Sequence, residues 1–164
     1  MSVISDSPGR VARNIVVRQS ENLLLILVAF WAGALWTTGF IVAPTLFQLL
    51  PERALAGSVA GHLFQSVHWI AVVAGGYVLL FALLRHGREA FTKSAVWLAF
   101  AMLVIVAIGA LGLQPIIAEL RLSLADNAEV RERFSMLHGI SSMLYALSSV
   151  LAVVLLVKVR KLFD

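Results

Sequence analysis

The chain has 164 residues, a length typical of one domain, and it combines 60% hydrophobic with only 13% charged residues at a mean hydropathy of +0.93. Soluble domains carry about 25% charged residues, so this composition excludes a soluble globular protein. The sequence has no Cys, which excludes disulfides, thiolate metal sites and thiol catalysis. The net charge of +4 does not indicate nucleic-acid binding, because the basic residues form short clusters beside apolar runs, a pattern that sets membrane topology.

The first apolar run is preceded by a polar segment, residues 1–21, which we predict to be a cytoplasmic tail. The run itself is free of charge over residues 23–42, and a helix of that length spans the roughly 30 Å of bilayer hydrocarbon. We interpret it as an uncleaved membrane span, because it is too long for a signal-peptide core and no clear cleavage site follows. Asn22 is the expected N-cap, and Pro44 is expected to end or kink the helix.

Three further apolar runs predict three further helices. Pro51 interrupts the chain, and the second helix is expected to begin near Ala54. Between the third and fourth runs, charged residues alternate with apolar ones at helical spacing, which predicts a short helix on the membrane surface. Asp126 or Asn127 is the expected N-cap of the fourth helix. The four spans are predicted at residues 23–43, 60–84, 95–114 and 137–157, within a transmembrane domain of residues 22–158 and before a basic tail of residues 159–164.

The distribution of Lys and Arg predicts the topology. Most of them lie in the N-terminal tail, in the connection between the second and third spans, and at the C-terminus, which all fall on one side of a four-span protein. The positive-inside rule places that side in the cytoplasm. The sequence therefore predicts an all-α, four-helix transmembrane bundle with both termini cytoplasmic, since uncharged runs of this length satisfy their backbone in lipid only as helices.

Small and polar residues predict which helix faces lie inside the bundle. On the second helix they share a stripe about 100° wide, opposite a face of Leu, Val and Ile. In lipid, small residues let helices approach closely and polar residues form hydrogen bonds between them. The glycines that we expect to pack helices together are Gly33 on the first helix and Gly57, Gly61, Gly75 and Gly76 on the second.

Polar side chains on three of the helices are expected to meet in the outer half of the bundle. The predicted pocket contains Thr37, Gln65, Ser142 and Tyr145, together with the two histidines His68 and His138. Intramembrane ionisable residues are by default functional-site hypotheses. The histidines can form interhelical hydrogen bonds, or they can hold haem or copper, both of which imidazole suits. No Cys or Met-rich cluster accompanies them, no third ligand is evident, and the metal is unknown.

The two halves of the sequence resemble each other weakly. Gly33-Ala34-Leu35, a proline and Phe64-x3-His68 in the first half correspond to Gly109-Ala110-Leu111, a proline and Phe134-x3-His138 in the second. Such an echo predicts two helical hairpins related by an axis along the membrane normal.

Three sequence segments also resemble a known family. They are Gly39-x4-Pro44-x2-Phe47, Ala56-Gly57-x2-Ala60-Gly61-x2-Phe64 and Arg133-Phe134-x2-Leu137-His138-Gly139-x-Ser141-Ser142. They are similar to the bacterial domain-of-unknown-function 4149 family, which is related to the eukaryotic transmembrane protein 205. The resemblance implies a small four-helix membrane protein without an assigned enzymatic activity. A more distant similarity, to the copper-resistance protein D and HemJ-type group, implies intramembrane histidines tied to copper or haem, although this chain lacks the first-helix histidine of HemJ-type proteins.

The sequence predicts a small, non-enzymatic protein of the bacterial inner membrane that acts through helix or lipid contacts. Its expected partners are the lipid bilayer and either a second copy or a partner membrane helix, and no nucleic acid. No cofactor is expected. One alternative is a haem- or copper-binding protein that uses His68 and His138, and another is a small-solute transporter, which the absence of a carboxylate within a span weakens if it is proton-coupled.

Overall fold

The computed structural model describes residues 8–123 and 127–163, and within these ranges the chain consists of helices and short connections, with no strand. Four helices are long and apolar enough to cross a membrane, and each contains one of the predicted spans. They are Arg13–Leu49, Arg53–Thr92, Ser94–Arg121 and Ala128–Leu162. The prediction of an all-α bundle of four membrane-crossing helices is confirmed, and the chain is a multi-pass membrane protein.

Each of the four helices contains more than one kind of helical turn. The first helix consists of Pro8–Trp36, a π-helical turn at Thr37–Val42 and Ala43–Leu49. The second consists of Arg53–His86 and a 3₁₀ turn at Gly87–Thr92. The third consists of Ser94–Ala107, a second π-helical turn at Ile108–Leu113 and Gln114–Leu122, and the fourth of Ala128–Lys158 and a 3₁₀ turn at Val159–Leu162.

The first helix begins well before the predicted membrane boundary. It is already helical at Pro8, the first residue that the structure describes. Asn22 consequently lies inside the helix and is not its N-cap, so that prediction is wrong. The extension packs on the second helix, because the Tyr77 hydroxyl donates to the Ser20 carbonyl oxygen over 3.3 Å.

Two prolines lie within helices that continue past them. Pro44 and Pro115 each follow a six-residue π-helical turn. The first turn closes with a hydrogen bond from the Ala43 N–H to the Thr38 oxygen. The second closes with a hydrogen bond from the Gln114 N–H to the Gly109 oxygen. Proline lacks the N–H that an α-helix would use at that point, and the wider turn accommodates its ring. The first helix ends at Leu49, and the extended backbone of the next residue, Leu50, is favoured by the following Pro51.

The structure does not support a separate surface helix between the third and fourth spans. Gln114–Leu122 follows the π-helical turn directly and prolongs the third helix. Its Ile117 is only 2% exposed, so the apolar face packs inside the bundle and not on a membrane surface.

The charged residues after Asn127 form the first turns of the fourth helix, where the Asn127 side chain accepts a hydrogen bond from the Glu129 N–H over 2.9 Å. The Asn127 cap is confirmed, while Asp126 lies outside the described residues.

One end of the bundle, here called the basic end, gathers three segments of the chain. The Arg85 guanidinium lies 3.5 Å from the Glu21 carboxylate and donates to the Phe163 carbonyl oxygen over 3.0 Å. His86 Nε2 lies 3.0 Å from the Leu162 oxygen. The first helix, the end of the second helix and the C-terminal turn therefore meet there. The opposite end, called the far end, carries the connection at residues 50–52.

The closely packed core lies in the half of the bundle next to the basic end. All four helices contribute fully buried side chains to it, among them Leu24, Val28, Val78, Ala82, Ala99, Met102, Leu155 and Leu162. The half next to the far end contains a cavity, so the packing of the bundle is asymmetric along its axis.

Candidate functional site

A cavity of about 400 Å³ lies between the four helices in the half next to the far end. Its lining residues fall within residues 31–47, 57–71, 105–121 and 138–148. On the third helix they extend from Ile105 to Arg121, about 24 Å at 1.5 Å per residue. The cavity is therefore elongated along the bundle axis, and its walls are mostly apolar with a few polar groups.

Both π-helical turns contribute to this cavity. Gly39 and Phe40 of the first turn and Gly109 of the second are lining residues, as are the following Pro44 and Gln114. An extra residue in one turn rotates the helix beyond it by about 100° relative to an uninterrupted helix. Such turns are frequent at functional sites. Here they mark corresponding positions on the first and third helices, just before a proline.

Tyr145 is held firmly against the first helix. Its hydroxyl donates to the Leu35 carbonyl oxygen over 2.7 Å, and its ring meets the Phe64 ring edge-on with 5.0 Å between centroids. The same ring lies so close to Gly39 that a Cβ there would overlap it. Tyr145 thus forms a fixed part of the cavity wall, with its polar atom already bonded to backbone.

The two histidines of the predicted site line the cavity from different helices. His68 is half-buried on the second helix, and His138 is exposed on the fourth. The His138 ring stacks on Phe134 with 5.7 Å between centroids and 3° between planes. Ser142 also lines the cavity and donates to the His138 carbonyl oxygen over 2.9 Å. Among the described residues, no group of three His, Cys, Asp or Glu side chains is arranged to hold a metal ion.

The structure does not bring Thr37 or Gln65 to the cavity, and both are exposed. For Thr37 the reason is the orientation of the first helix. Its interior face is marked by Val28, Trp31 and Leu35, which are 1%, 1% and 4% exposed. Thr37 lies on the other side of that helix, so only four of the predicted pocket residues, His68, His138, Ser142 and Tyr145, share the cavity.

The predicted packing glycines have different surroundings. Gly75 is buried where a Cβ would lie 2.8 Å from Leu103 Cδ2. Gly57 is also buried, and a Cβ there would lie 3.5 Å from the Arg121 guanidinium. Gly61 lines the cavity with no atom within 4 Å of its Cβ position. Gly33 and Gly76 are exposed and likewise have no neighbour within 4 Å.

Two lining residues with unpaired polar groups were not predicted from the sequence. Trp31 is 1% exposed, and its Nε1 is buried without a hydrogen-bond partner among the described residues. Arg121 is half-buried at the far end of the cavity and forms no hydrogen bond or ion pair with any described residue. A polar group without a partner in a cavity indicates where a bound molecule could contribute, and among the described residues Arg121 is such a group.

Comparison with known proteins gives one family. The sequence profile of a domain of unknown function, DUF4149, matches residues 26–125. The chain belongs to the DUF4149 family. Two further comparisons, with curated proteins and with solved structures, found no match.

The DUF4149 match covers the part of the chain that builds most of the cavity. It includes both π-helical turns, His68 and Arg121, but ends before the fourth helix and His138. The resemblances to transmembrane protein 205 and to the copper-resistance protein D and HemJ-type group remain predictions.

Proposed function

We propose that this DUF4149 protein binds a small, mostly apolar molecule inside its helical bundle and has no enzymatic activity. The observation that carries the proposal is the cavity. Its volume of about 400 Å³ falls within the roughly 300–1,000 Å³ of small-molecule sites, which are apolar with a few placed polar groups. Phe40, Phe64 and Val106 contribute apolar wall, while His68 and Arg121 contribute polar groups.

The proposed orientation puts the cavity in the outer half of the membrane. Three basic clusters lie at the basic end of the bundle, and the positive-inside rule assigns that end to the cytoplasm. Both termini are then cytoplasmic, and the far end faces outward. The resemblance to a bacterial family supports the inner membrane as the location, with the bilayer as the surrounding partner.

The packing of the other half favours binding over transport. A transported solute would need a path past fully buried side chains such as Val78, Met102 and Leu155, which are all 0% exposed. Moreover, Thr37 and Gln65, two of the polar groups expected to line a solute pathway, are not at the cavity. The arrangement supports a site that opens in one half of the membrane only.

A substitution that fills the cavity tests this proposal. Gly61→Leu adds a side chain where no atom lies within 4 Å of the Cβ position, so the bundle should fold normally while the site is blocked. In nanodiscs, diazirine-labelled hexadecanol should saturably label Phe64 and Tyr145 in the wild type. We expect Gly61→Leu to reduce that labelling at least about tenfold, a loss of about 1.4 kcal/mol in binding.

Gly33→Leu is the matched control, because Gly33 is exposed and also has no neighbour within 4 Å. It should leave the labelling unchanged. Trp69 is 66% exposed and serves as the reference for labelling from the surrounding lipid. Labelling that is no stronger at Phe64 than at Trp69, or that persists unaltered in Gly61→Leu, would contradict a ligand cavity.

A second candidate function is a haem or copper site at His68 and His138, because both imidazoles line the same cavity from different helices. Imidazole is a ligand of haem iron and also suits copper, so His68 and His138 are the residues that would hold either group. If this candidate is correct, protein expressed with added haem or copper and purified in detergent should show a Soret band or bound copper, lost in His68→Ala. His62→Ala is the control, since His62 is exposed and its Nδ1 lies 2.9 Å from the Ser58 oxygen of its own helix. A metal-free wild type rules this candidate out.

A further inference from the structure

We propose that the molecule bound in the cavity is a single-chain amphiphile with an acid group, whose carboxylate or phosphate contacts Arg121 and whose chain extends towards Trp31. This inference rests on the proposed binding function and adds the chemical class of the ligand. Three features of the cavity support this class of ligand: the charged group at one end, the depth of the cavity in the membrane and its apolar walls.

Among the described residues, the cavity lining contains the Arg121 guanidinium and no carboxylate. Arg121 lines the cavity, is half-buried, and has no hydrogen bond or ion pair with the described residues. Gly57 lies beside its guanidinium, and because glycine has no side chain it leaves space next to the charged group. A guanidinium presents a planar fork of donors that matches a carboxylate or a phosphate. An acid group is thus the chemistry that this end of the cavity favours.

The depth of the cavity matches one leaflet of a bilayer. The predicted third span ends at Gln114, so Arg121, seven residues further on, lies about 10 Å outside the hydrocarbon, at the level of the lipid headgroups. Ile105, at the other end of the lining, lies about 14 Å inside the same boundary, close to the centre of a bilayer about 30 Å thick. An outer-leaflet lipid places its acid group and its chain over the same range of depth.

The walls between these ends are suited to a hydrocarbon chain. The part of the wall nearer the far end contains Phe47, Phe64 and Ile117. The part nearer the centre of the bundle contains Leu35 and Trp31. The Trp31 Nε1 is covered by protein, so its ring presents carbon atoms to the cavity. A volume of about 400 Å³ is near the lower limit of ligand sites, which favours one chain over the two chains of a phospholipid.

Competition against the diazirine-labelled hexadecanol distinguishes the ligand classes. Full-length protein in nanodiscs is labelled with this probe in the presence of one of three competitors. Hexadecanoate and hexadecyl phosphate carry an acid headgroup, and methyl hexadecanoate is an uncharged ester with a chain of the same length. We expect at least one acid to compete about tenfold more strongly than the uncharged ester, as for the loss of a charge-assisted hydrogen bond. The stronger acid identifies the headgroup as carboxylate or phosphate.

Arg121→Gln should remove the advantage of the acids and leave competition by the ester unchanged, which also shows that the variant is folded. Arg121→Lys should restore part of the advantage, and Arg133→Gln, at the same end but outside the cavity lining, should have no effect. If acids and ester compete equally in a wild type that binds the probe saturably, this proposal fails while the binding function stands. If the probe does not bind saturably, both fail.

Discussion

Gly39→Ala is expected to destabilise the bundle by about 1–3 kcal/mol, the usual effect of forcing extra atoms into a packed contact. In the interior of an ordinary helix, replacing Gly by Ala stabilises the fold by roughly 0.5–1 kcal/mol. The difference arises because the Cβ would overlap the Tyr145 ring. That ring cannot move away easily, since its hydroxyl bonds to the Leu35 oxygen over 2.7 Å and its other side packs on Phe64. Unfolding in mixed detergent micelles, followed by circular dichroism, measures the change.

Gly33→Ala is the control for this prediction. It lies on the same helix, is exposed, and has no atom within 4 Å of its Cβ position, so it should be neutral or slightly stabilising. A Gly39→Ala/Tyr145→Leu double variant removes the ring and should recover part of the loss through the removal of the overlap. Equal stability of Gly39→Ala and Gly33→Ala would show that the Tyr145 contact does not constrain the first helix.

The number and type of the helices were predictable because lipid imposes a simple rule. Each uncharged run of about 20 residues must satisfy its own backbone, and only a helix does so without a partner strand. The limits of the helices were less predictable, since charged residues mark where the hydrocarbon ends and not where a helix ends. The helical residues from Pro8 onward and the charged turns after Asn127 both continue spans beyond the predicted membrane boundaries.

Part of the cavity lining could be indicated from the polar residues of the second and fourth helices. His68 and Tyr145 are half-buried at the cavity, and Ser142 lines it although it is exposed. On the first helix the pattern of small residues pointed to Gly33 and Thr37, whereas large apolar side chains such as Trp31 occupy the interior face. In lipid both sides of a helix are apolar, so hydrophobicity alone cannot distinguish the interior from the exterior.

Two features of the cavity needed the structure, although the sequence contained a signal for each. A proline inside an apolar run, present in the first helix as Pro44 and repeated after the third span as Pro115, indicates that the helix must adjust its hydrogen bonds there. Arg121 follows the buried Ile117 by four residues and so shares its helix face. That spacing identifies Arg121 as a charge turned towards the bundle.

Leu155→Ala tests the packed half of the bundle and is expected to cost about 1–3 kcal/mol. This is less than the 2–5 kcal/mol of a soluble core, because the unfolded helix stays in lipid and the transfer from water no longer contributes. What remains is the loss of packing around a side chain that is 0% exposed. Leu147→Ala, on the same helix and 48% exposed, should change the unfolding free energy by less than about 0.5 kcal/mol.

The comparison of these two leucines also bears on function. A cavity in one half of a bundle can be kept open only if the other half supplies enough packing to hold the helices together, because association in lipid depends on close contacts rather than on the hydrophobic effect. A large cost for Leu155→Ala therefore supports a closed half next to the basic end and a site that opens only towards the far end. If Leu155→Ala is as mild as Leu147→Ala, that half is loosely packed, and a passage for small solutes becomes the better explanation of the cavity.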